Sequence, residues 1–342
     1  MTDRLQRAWA ARGPLATALW PLALLHRILI GLRRLAYRVG VRRRVRLPVP
    51  VVVVGNLIVG GAGKTPTVIA VVERLRAMGH RPGIVSRGYG RATETIVEVD
   101  ATTSPHDGGD EPLLLHRRTR VPVVVGRDRV AAARELLRRH PQTSIVVADD
   151  GLQHWRLARD LDIVVFDERG AGNAWLLPAG PLREPMPHRV PPATIVLYNA
   201  ARPSTSLPGL TARRVLRGVV ALADWRSGEN AGATPLTALR GRRVVAAAGI
   251  AQPERFFAML REHGLDIEAL PLPDHARFDA LPWPEQTADV IVTEKDAVKL
   301  DPAQLGATRV WVAALDFEPD AAFDAALARL VPAPPAHGNP TA

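Results

Sequence analysis

The hexapeptide Gly60-Gly61-Ala62-Gly63-Lys64-Thr65 holds the residue types that make a phosphate cradle. Glycines let the backbone approach an anion, and a loop entering a helix points several N–H groups at one place, where the helix dipole favours negative charge. Lys64 can reach the β- and γ-phosphates of a nucleotide, and the Thr65 hydroxyl can ligate Mg²⁺. The pattern G-x-x-x-x-G-K-[ST] is met with one departure: Ile58 stands at its first glycine, which comes two places later at Gly60. The nucleotide-binding segment is therefore read as Ile58, Val59, Gly60, Gly61, Ala62, Gly63, Lys64 and Thr65.

Five further clusters could share the chemistry. Asp149 and Asp150 follow the apolar run Ser144–Ala148, at the carboxyl end of a strand, where open α/β sheets bind ligands. Neighbouring carboxylates point in different directions, so one can serve Mg²⁺ and the other the loop; a solvated strand-end turn is the competing reading. Gly108-Gly109-Asp110-Glu111-Pro112 places two carboxylates on a glycine-loosened loop, and one could take the proton of an attacking hydroxyl, although alone the motif is equally a solvated turn. Ser86-Arg87-Gly88-Tyr89-Gly90-Arg91 sets arginines and an aromatic ring after a strand, a combination suited to phosphate. Pro273-Asp274-His275 and Thr293-Glu294-Lys295-Asp296 lie late in the chain, the second directly after an apolar run.

Stepping these residues into place requires alternating strands and helices. Apolar runs at Val51–Val54, Gly83–Ser86, Val121–Val125, Ile145–Ala148, Ile163–Phe166 and Ile195–Tyr198 read as buried strands, with helices at Pro66–Met78 and Arg127–Arg139. Such alternation implies an α/β fold of the P-loop NTPase type, a mostly parallel sheet with helices on both faces. Composition turns to Ala, Arg, Pro and Ser near Ala200–Leu210, a linker signal. Runs at Val244–Ile250, Ile267–Leu270, Val290–Thr293 and Val310–Ala313, with a helix at Pro253–His263, then predict a smaller second α/β domain. The expected division is 1–46 as a basic helical segment, 47–200 as the P-loop domain, 201–330 as the second domain and 331–342 as a Pro-rich disordered tail.

Zero Cys among 342 residues removes disulfides, thiolate metal sites and Cys nucleophiles together. The formal net charge of +11 is concentrated: residues 1–50 hold eleven Arg against the single acid Asp3, and the remainder is nearly balanced. These arginines interleave with Leu, Ile and Trp rather than polar residues, which favours an anionic membrane surface over nucleic acid. Leu15–Leu25 is apolar for eleven residues and resumes only after His26 and Arg27, shorter than the roughly 20 residues of a bilayer crossing. Residues 5–44 are therefore expected to lie in or dip into the cytoplasmic leaflet, peripheral or monotopic, unless they pack on the body of the protein instead. Nothing in the chain calls for an obligate protein partner.

The segments PVPVVVVGNL, GGAGKTP, GIVSRGYG, GDEP, DDGLQH, WLLPAGPLRE, AGI with PERFF, LPDH and TEKDAVK, in this order over residues 48–299, resemble the tetraacyldisaccharide 4′-kinases of lipid A biosynthesis. The resemblance implies an ATP- and Mg²⁺-dependent enzyme that phosphorylates the 4′-hydroxyl of a membrane-embedded glycolipid, a tetraacyl glucosamine disaccharide 1-phosphate, giving lipid IVA. It implies action at the cytoplasmic face of the bacterial inner membrane. On the matching positions, Lys64 and Thr65 carry phosphates and Mg²⁺, Asp149 and Asp150 form the acidic pair near the metal, and Glu111 assists there. Asp110 is implied as the base, paired with His275 across the two domains, and Arg87 and Tyr89 belong to the substrate cleft.

The rival from another class is a membrane-recruited switch ATPase of the partition or targeting type. Such proteins carry a signature Lys just before the two loop glycines, where this chain has Val59.

Overall fold

The computed structural model describes residues 8–228, 234–274, 276–278 and 280–334. Two compact units emerge, one built from 1–87, 121–213 and 318–342, the other from 88–120 and 214–317.

The first unit is a parallel sheet whose central strand ends at the phosphate loop. Strands β1 (Val51–Gly55), β2 (Pro82–Ser86), β4 (Val123–Val125), β5 (Ile145–Asp149), β6 (Leu161–Asp167) and β7 (Thr194–Asn199) take the order β7-β6-β1-β5-β2-β4. The run of four valines in β1 is buried on both faces, as a central parallel strand must be. Val51 and Val53 join the core beneath helix α5 (Arg129–Arg139), whose Ala132, Ala133 and Leu136 belong to the same cluster. Alternation along the strand turns Val52 and Val54 to the other face, and helix α2 (Lys64–Ala77) buries Val68, Val71, Val72 and Leu75. Register sets Asp149 of β5 level with Val54 of β1, at the mouth of the loop. Helix α9 (Ala321–Leu330) closes this unit, with Phe323 fully buried.

Helix α1 (Pro14–Arg38) is one unbroken 25-residue element, long and apolar enough by length and composition to cross a membrane. The apolar run pauses at His26 and Arg27, but the helix continues through them, with His26 Nδ1 3.1 Å from the Leu177 carbonyl. Only part of the helix meets protein. Ala16 and Ala23 are buried, while Leu22, Leu25, Leu29 and Leu32 each expose more than half of their surface on one stripe. One face of the element thus packs on the body, and the opposite face is exposed and apolar.

In the second unit, β9 (Arg243–Ala248), β10 (Asp266–Pro271), β11 (Asp289–Thr293) and β12 (Arg309–Pro319) form a parallel sheet ordered β10-β9-β11-β12. Phe256, Phe257 and Leu260 of α7 (Pro253–Glu262) fill one face, and Phe278 and Trp283 join a cluster with Val290, Val292, Val310 and Val312. Segment 88–120 belongs to this unit, although the sequence reading grouped it with the P-loop domain. It carries the short strand β3 (Val97–Val99), the turn of helix α3 (Pro105–Gly108) and helix α4 (Asp110–Thr119). Two ion pairs tie it there: Arg118 reaches Glu294 at 2.6 Å and Asp316 at 2.7 Å.

Several elements escaped the sequence reading, β3, α3 and α9 among them. Strand β8 (Leu210–Ala221) begins at the last residue of what reads as a linker, and the chain passes from the first unit to the second within it. GDEP, read as a loop, opens α4, with Gly109 at φ +84° leading directly into Asp110.

Candidate phosphoryl-transfer site

The loop between β1 and α2 is fixed at both ends. Its first half is extended and pairs with the WLLPAGPLRE segment: Val59 N donates to Pro181 O at 2.9 Å, and Arg183 N donates to Leu57 O at 2.7 Å. Ile58 bridges Leu182 and is buried in the core, which explains a large apolar residue where the common pattern has glycine. Its second half turns through Gly60 at φ +95° and Gly63 at φ +89°, conformations that glycine adopts without strain. Gly63 caps α2, so Lys64 and Thr65 stand on its first turn.

Lys64 points into a polar cluster. Its Nζ lies 3.3 Å from Asn56 Oδ1 and 3.7 Å from Asp150 Oδ1. Asp150 also accepts from Arg183 Nη1, at 2.9 and 3.1 Å to its two oxygens. Burial alone would push this carboxyl up; the Lys64 and Arg183 cations outweigh it and hold the group below the usual carboxylate range. Asp149 is almost fully buried and accepts from Ser86 Oγ at 2.8 Å, tying β5 to β2. The two acids therefore differ in partners, one facing cations and one facing a hydroxyl.

The donors suit a divalent cation shared with phosphate. A hydroxyl at Thr65 and carboxylates at 149 and 150 are hard oxygen ligands of the kind Mg²⁺ takes in small number, leaving other positions to phosphate and water. Among the described residues no group of three or more His, Cys, Asp or Glu forms a metal cage.

The later motifs gather in the second unit. Asp110 is buried at the start of α4, its Oδ1 accepting from Glu111 N at 3.0 Å. Lys295 Nζ lies 3.1 Å from Asp274 and 3.5 Å from Glu111, and its pKa is raised: burial opposes the charge, but Glu111, Asp110 and Asp274 outweigh it. GDEP, LPDH and TEKD thus meet around one lysine. Asp110 shares its compact unit with Asp274, neighbour of His275, so these motifs are not divided between the units as the sequence reading had it. His275 itself lies outside the described residues. Arg87 and Tyr89 are exposed and fall in different units.

Asp296 shows why AGI and TEKDAVK travel together. It is fully buried and accepts from Gly249 N at 2.9 Å, Thr293 Oγ1 at 2.7 Å and Lys299 Nζ at 2.8 Å. A Cβ on Gly249 would stand 2.8 Å from that carboxylate. Asp296→Ala leaves a buried cation and a buried amide without their acceptor, and is expected to cost about 3–5 kcal/mol in denaturant unfolding followed by Trp fluorescence. A loss below 1 kcal/mol would remove this carboxylate from the unit's framework.

Sequence reasoning missed Asn56, Arg183, Arg169 and Asn199. The first two lay inside recognised blocks, GNL and PLRE, without a role; the last two carried no local signal.

A P-loop on the central strand of a parallel sheet, with an invading Lys and an acid at the end of the neighbouring strand, defines a P-loop nucleotide-binding protein. The tetraacyldisaccharide-1-P 4′-kinase family model matches residues 15–332, and this chain belongs to that family. It is 60% identical to the tetraacyldisaccharide 4′-kinase of Methylibium petroleiphilum over 94% of this chain and 92% of the relative. It is 56% identical to the Leptothrix cholodnii enzyme over 97% of each chain. Among solved structures, the "apo" form of LpxK from Aquifex aeolicus in complex with ATP superposes with a TM-score of 0.77 at 26% identity, covering 93% of this chain and all of that one. Family membership displaces the switch-ATPase reading.

Proposed function

We propose that this chain transfers the γ-phosphate of ATP to the 4′-hydroxyl of a tetraacyl glucosamine disaccharide 1-phosphate, giving lipid IVA at the cytoplasmic face of the inner membrane. The observation that carries the reading is the Lys64–Asn56–Asp150–Arg183 cluster beneath a glycine loop, in a chain of this family. Lys64 and the loop N–H groups bind and orient the phosphates. Thr65, Asp149 and Asp150 are the ligands proposed for Mg²⁺, with Glu111 assisting; the cation neutralises charge on the transferring group. Before nucleotide arrives, Asp150 and Asn56 keep the Lys64 ammonium directed at the loop.

A sugar hydroxyl is a weak nucleophile at neutral pH, and Asp110, with His275, is the proposed acceptor of its proton. Lys295 compensates the acids around Asp110, which lets three carboxylates share one place. Arg87 and Tyr89 are proposed to touch the lipid substrate. The test is ADP release with and without the acylated disaccharide 1-phosphate. Strong dependence on the lipid is expected, and equal release without it contradicts transfer to a lipid acceptor.

The exposed Leu stripe of α1, with the exposed Arg27 and Arg38 on the same helix, supports membrane contact by two signals, apolar insertion and attraction to anionic lipid. The opposite side is moored by Arg34 to Glu184 at 2.8 Å and by Arg33 to Gln153 O at 3.2 Å, with both guanidiniums over Trp155. Replacing Leu25, Leu29 and Leu32 together by Ser should lower partition into anionic vesicles by roughly a hundredfold or more, since a buried Leu contributes about 1.5–3 kcal/mol. ATP affinity should hold. Unchanged vesicle partition would assign the stripe elsewhere.

A further inference from the structure

Four consecutive carbonyl oxygens of the phosphate loop each accept a hydrogen bond from a side chain. Asn56 Nδ2 donates to Gly60 O at 3.1 Å, Arg169 Nη2 to Gly61 O at 3.0 Å, Asn199 Nδ2 to Ala62 O at 3.3 Å, and Thr67 Oγ1 to Gly63 O at 2.8 Å. The donors come from four places in the first unit. Asn56 follows β1, Arg169 stands two residues beyond β6, Asn199 ends β7, and Thr67 sits near the start of α2.

In a planar trans peptide the C=O and N–H of one unit point in opposite directions. Fixing the carbonyls of residues 60 to 63 therefore fixes the N–H groups of residues 61 to 64, and those are the groups a glycine loop offers to phosphate. Arg169 is itself held firmly. Asp167, fully buried at the end of β6, accepts from its backbone N at 3.0 Å and from Nε at 3.1 and 2.9 Å, and lies 2.8 Å from Nη2. Room for this guanidinium depends on Gly60, where a Cβ would stand 3.1 Å from Nη1.

We propose that Arg169 and Asn199 are positioning residues for the nucleotide phosphates, holding the Gly61 and Ala62 carbonyls so that the amide cradle is set before nucleotide arrives. The first half of the loop is pinned by Ile58 and Val59 against the 181–183 segment, and these two side chains do the corresponding work for the second half. Neither residue needs to touch nucleotide. Without them the loop must be ordered at the moment of binding, and that conformational cost comes out of affinity. The proposal rests on the reading of this loop as the nucleotide site.

Arg169→Lys tests it while keeping a cation beside Asp167, because an ammonium cannot hold a carboxylate and a carbonyl together in the planar fork of Arg. Asn199→Ser is the second variant, so that a folding failure in one leaves the other to decide. The full-length proteins are titrated with Mg-ATP, with ADP and with adenosine, which has no phosphate. Each variant should raise the Kd for ATP and ADP about tenfold and move that for adenosine less than twofold. In turnover, KM for ATP should rise while KM for the lipid acceptor holds. Variants that bind ATP as the wild type does, or that lose ATP and adenosine in equal proportion, overturn the proposal. A wild-type protein with no preference for ATP over adenosine overturns the nucleotide-site reading and the brace with it.

Discussion

Lys64→Ala should lower kcat by about a thousandfold or more at saturating lipid, with the fold intact. The expectation follows from where the ammonium sits and from what remains without it. Its Nζ is held 3.3 Å from Asn56 and 3.7 Å from Asp150, at the end of a side chain only 12% exposed. Water there cannot replace a fixed cation, and a preorganised charge aimed at the transferring phosphoryl is worth several kcal/mol, each 1.36 kcal/mol being tenfold in rate. Stability should suffer little, because Asp150 keeps Arg183 at 2.9 Å and Asn56 keeps its bond to Gly60 O at 3.1 Å. Lys64→Arg should rescue little, since the bulkier guanidinium does not act as a compact point charge. A loss of less than tenfold, measured by ADP formation, would take Lys64 out of the transferring-phosphate site.

The second large effect is expected at Asp110. Asp110→Asn keeps the shape of the side chain and removes its capacity to accept a proton, so kcat should fall by roughly 10²–10⁴-fold while the Kd for ATP stays within about twofold. The substitution is structurally mild. Lys295 retains Asp274 at 3.1 Å and Glu111 at 3.5 Å, and an Asn side-chain oxygen can still accept the Glu111 N–H that Asp110 accepts at 3.0 Å. Wild-type turnover in this variant would remove Asp110 from the chemistry. Equal losses in turnover and in ATP affinity would point to a structural residue.

Local signals were readable from the residues. A β-branched run, four glycines and Lys-Thr within seventeen positions are enough to place a strand, a loop and a helix start, and the structure puts Lys64 on that first turn. Asp149 was equally readable, because an acid closing an apolar run sits at a strand end. What the residues alone left open depends on long-range partners. Arg169 meets Gly61, Asn199 meets Ala62 and Arg183 meets Asp150, yet nothing near these positions in the chain announces such contacts.

The missed elements have physical causes too. Strand β8 begins where the linker signal of Ala200–Leu210 ends and carries Arg213, Arg214 and Arg217 among its apolar positions, so no unbroken apolar run marks it. Helix α4 begins Asp-Glu-Pro and continues with three successive leucines, a pattern without helical spacing. Its Leu113, Leu114 and Leu115 are all buried, so no polar face interrupts the run. His26 and Arg27 appeared to divide the N-terminal segment because a polar pair reads as an end; in the folded helix His26 is satisfied by a carbonyl of the body it packs on.

The central claim is that the γ-phosphate of ATP comes to rest on a lipid-borne sugar at one position. Incubating the full-length protein, in vesicles, with γ-labelled ATP, Mg²⁺ and the tetraacyl disaccharide 1-phosphate, then locating the label by phosphorus NMR of the purified lipid, reads that claim directly. The expected product is the 1,4′-bisphosphate, with label only at the 4′-oxygen and one ADP formed for each lipid phosphorylated. Label recovered as free phosphate, or on the phosphate already at position 1, would contradict it.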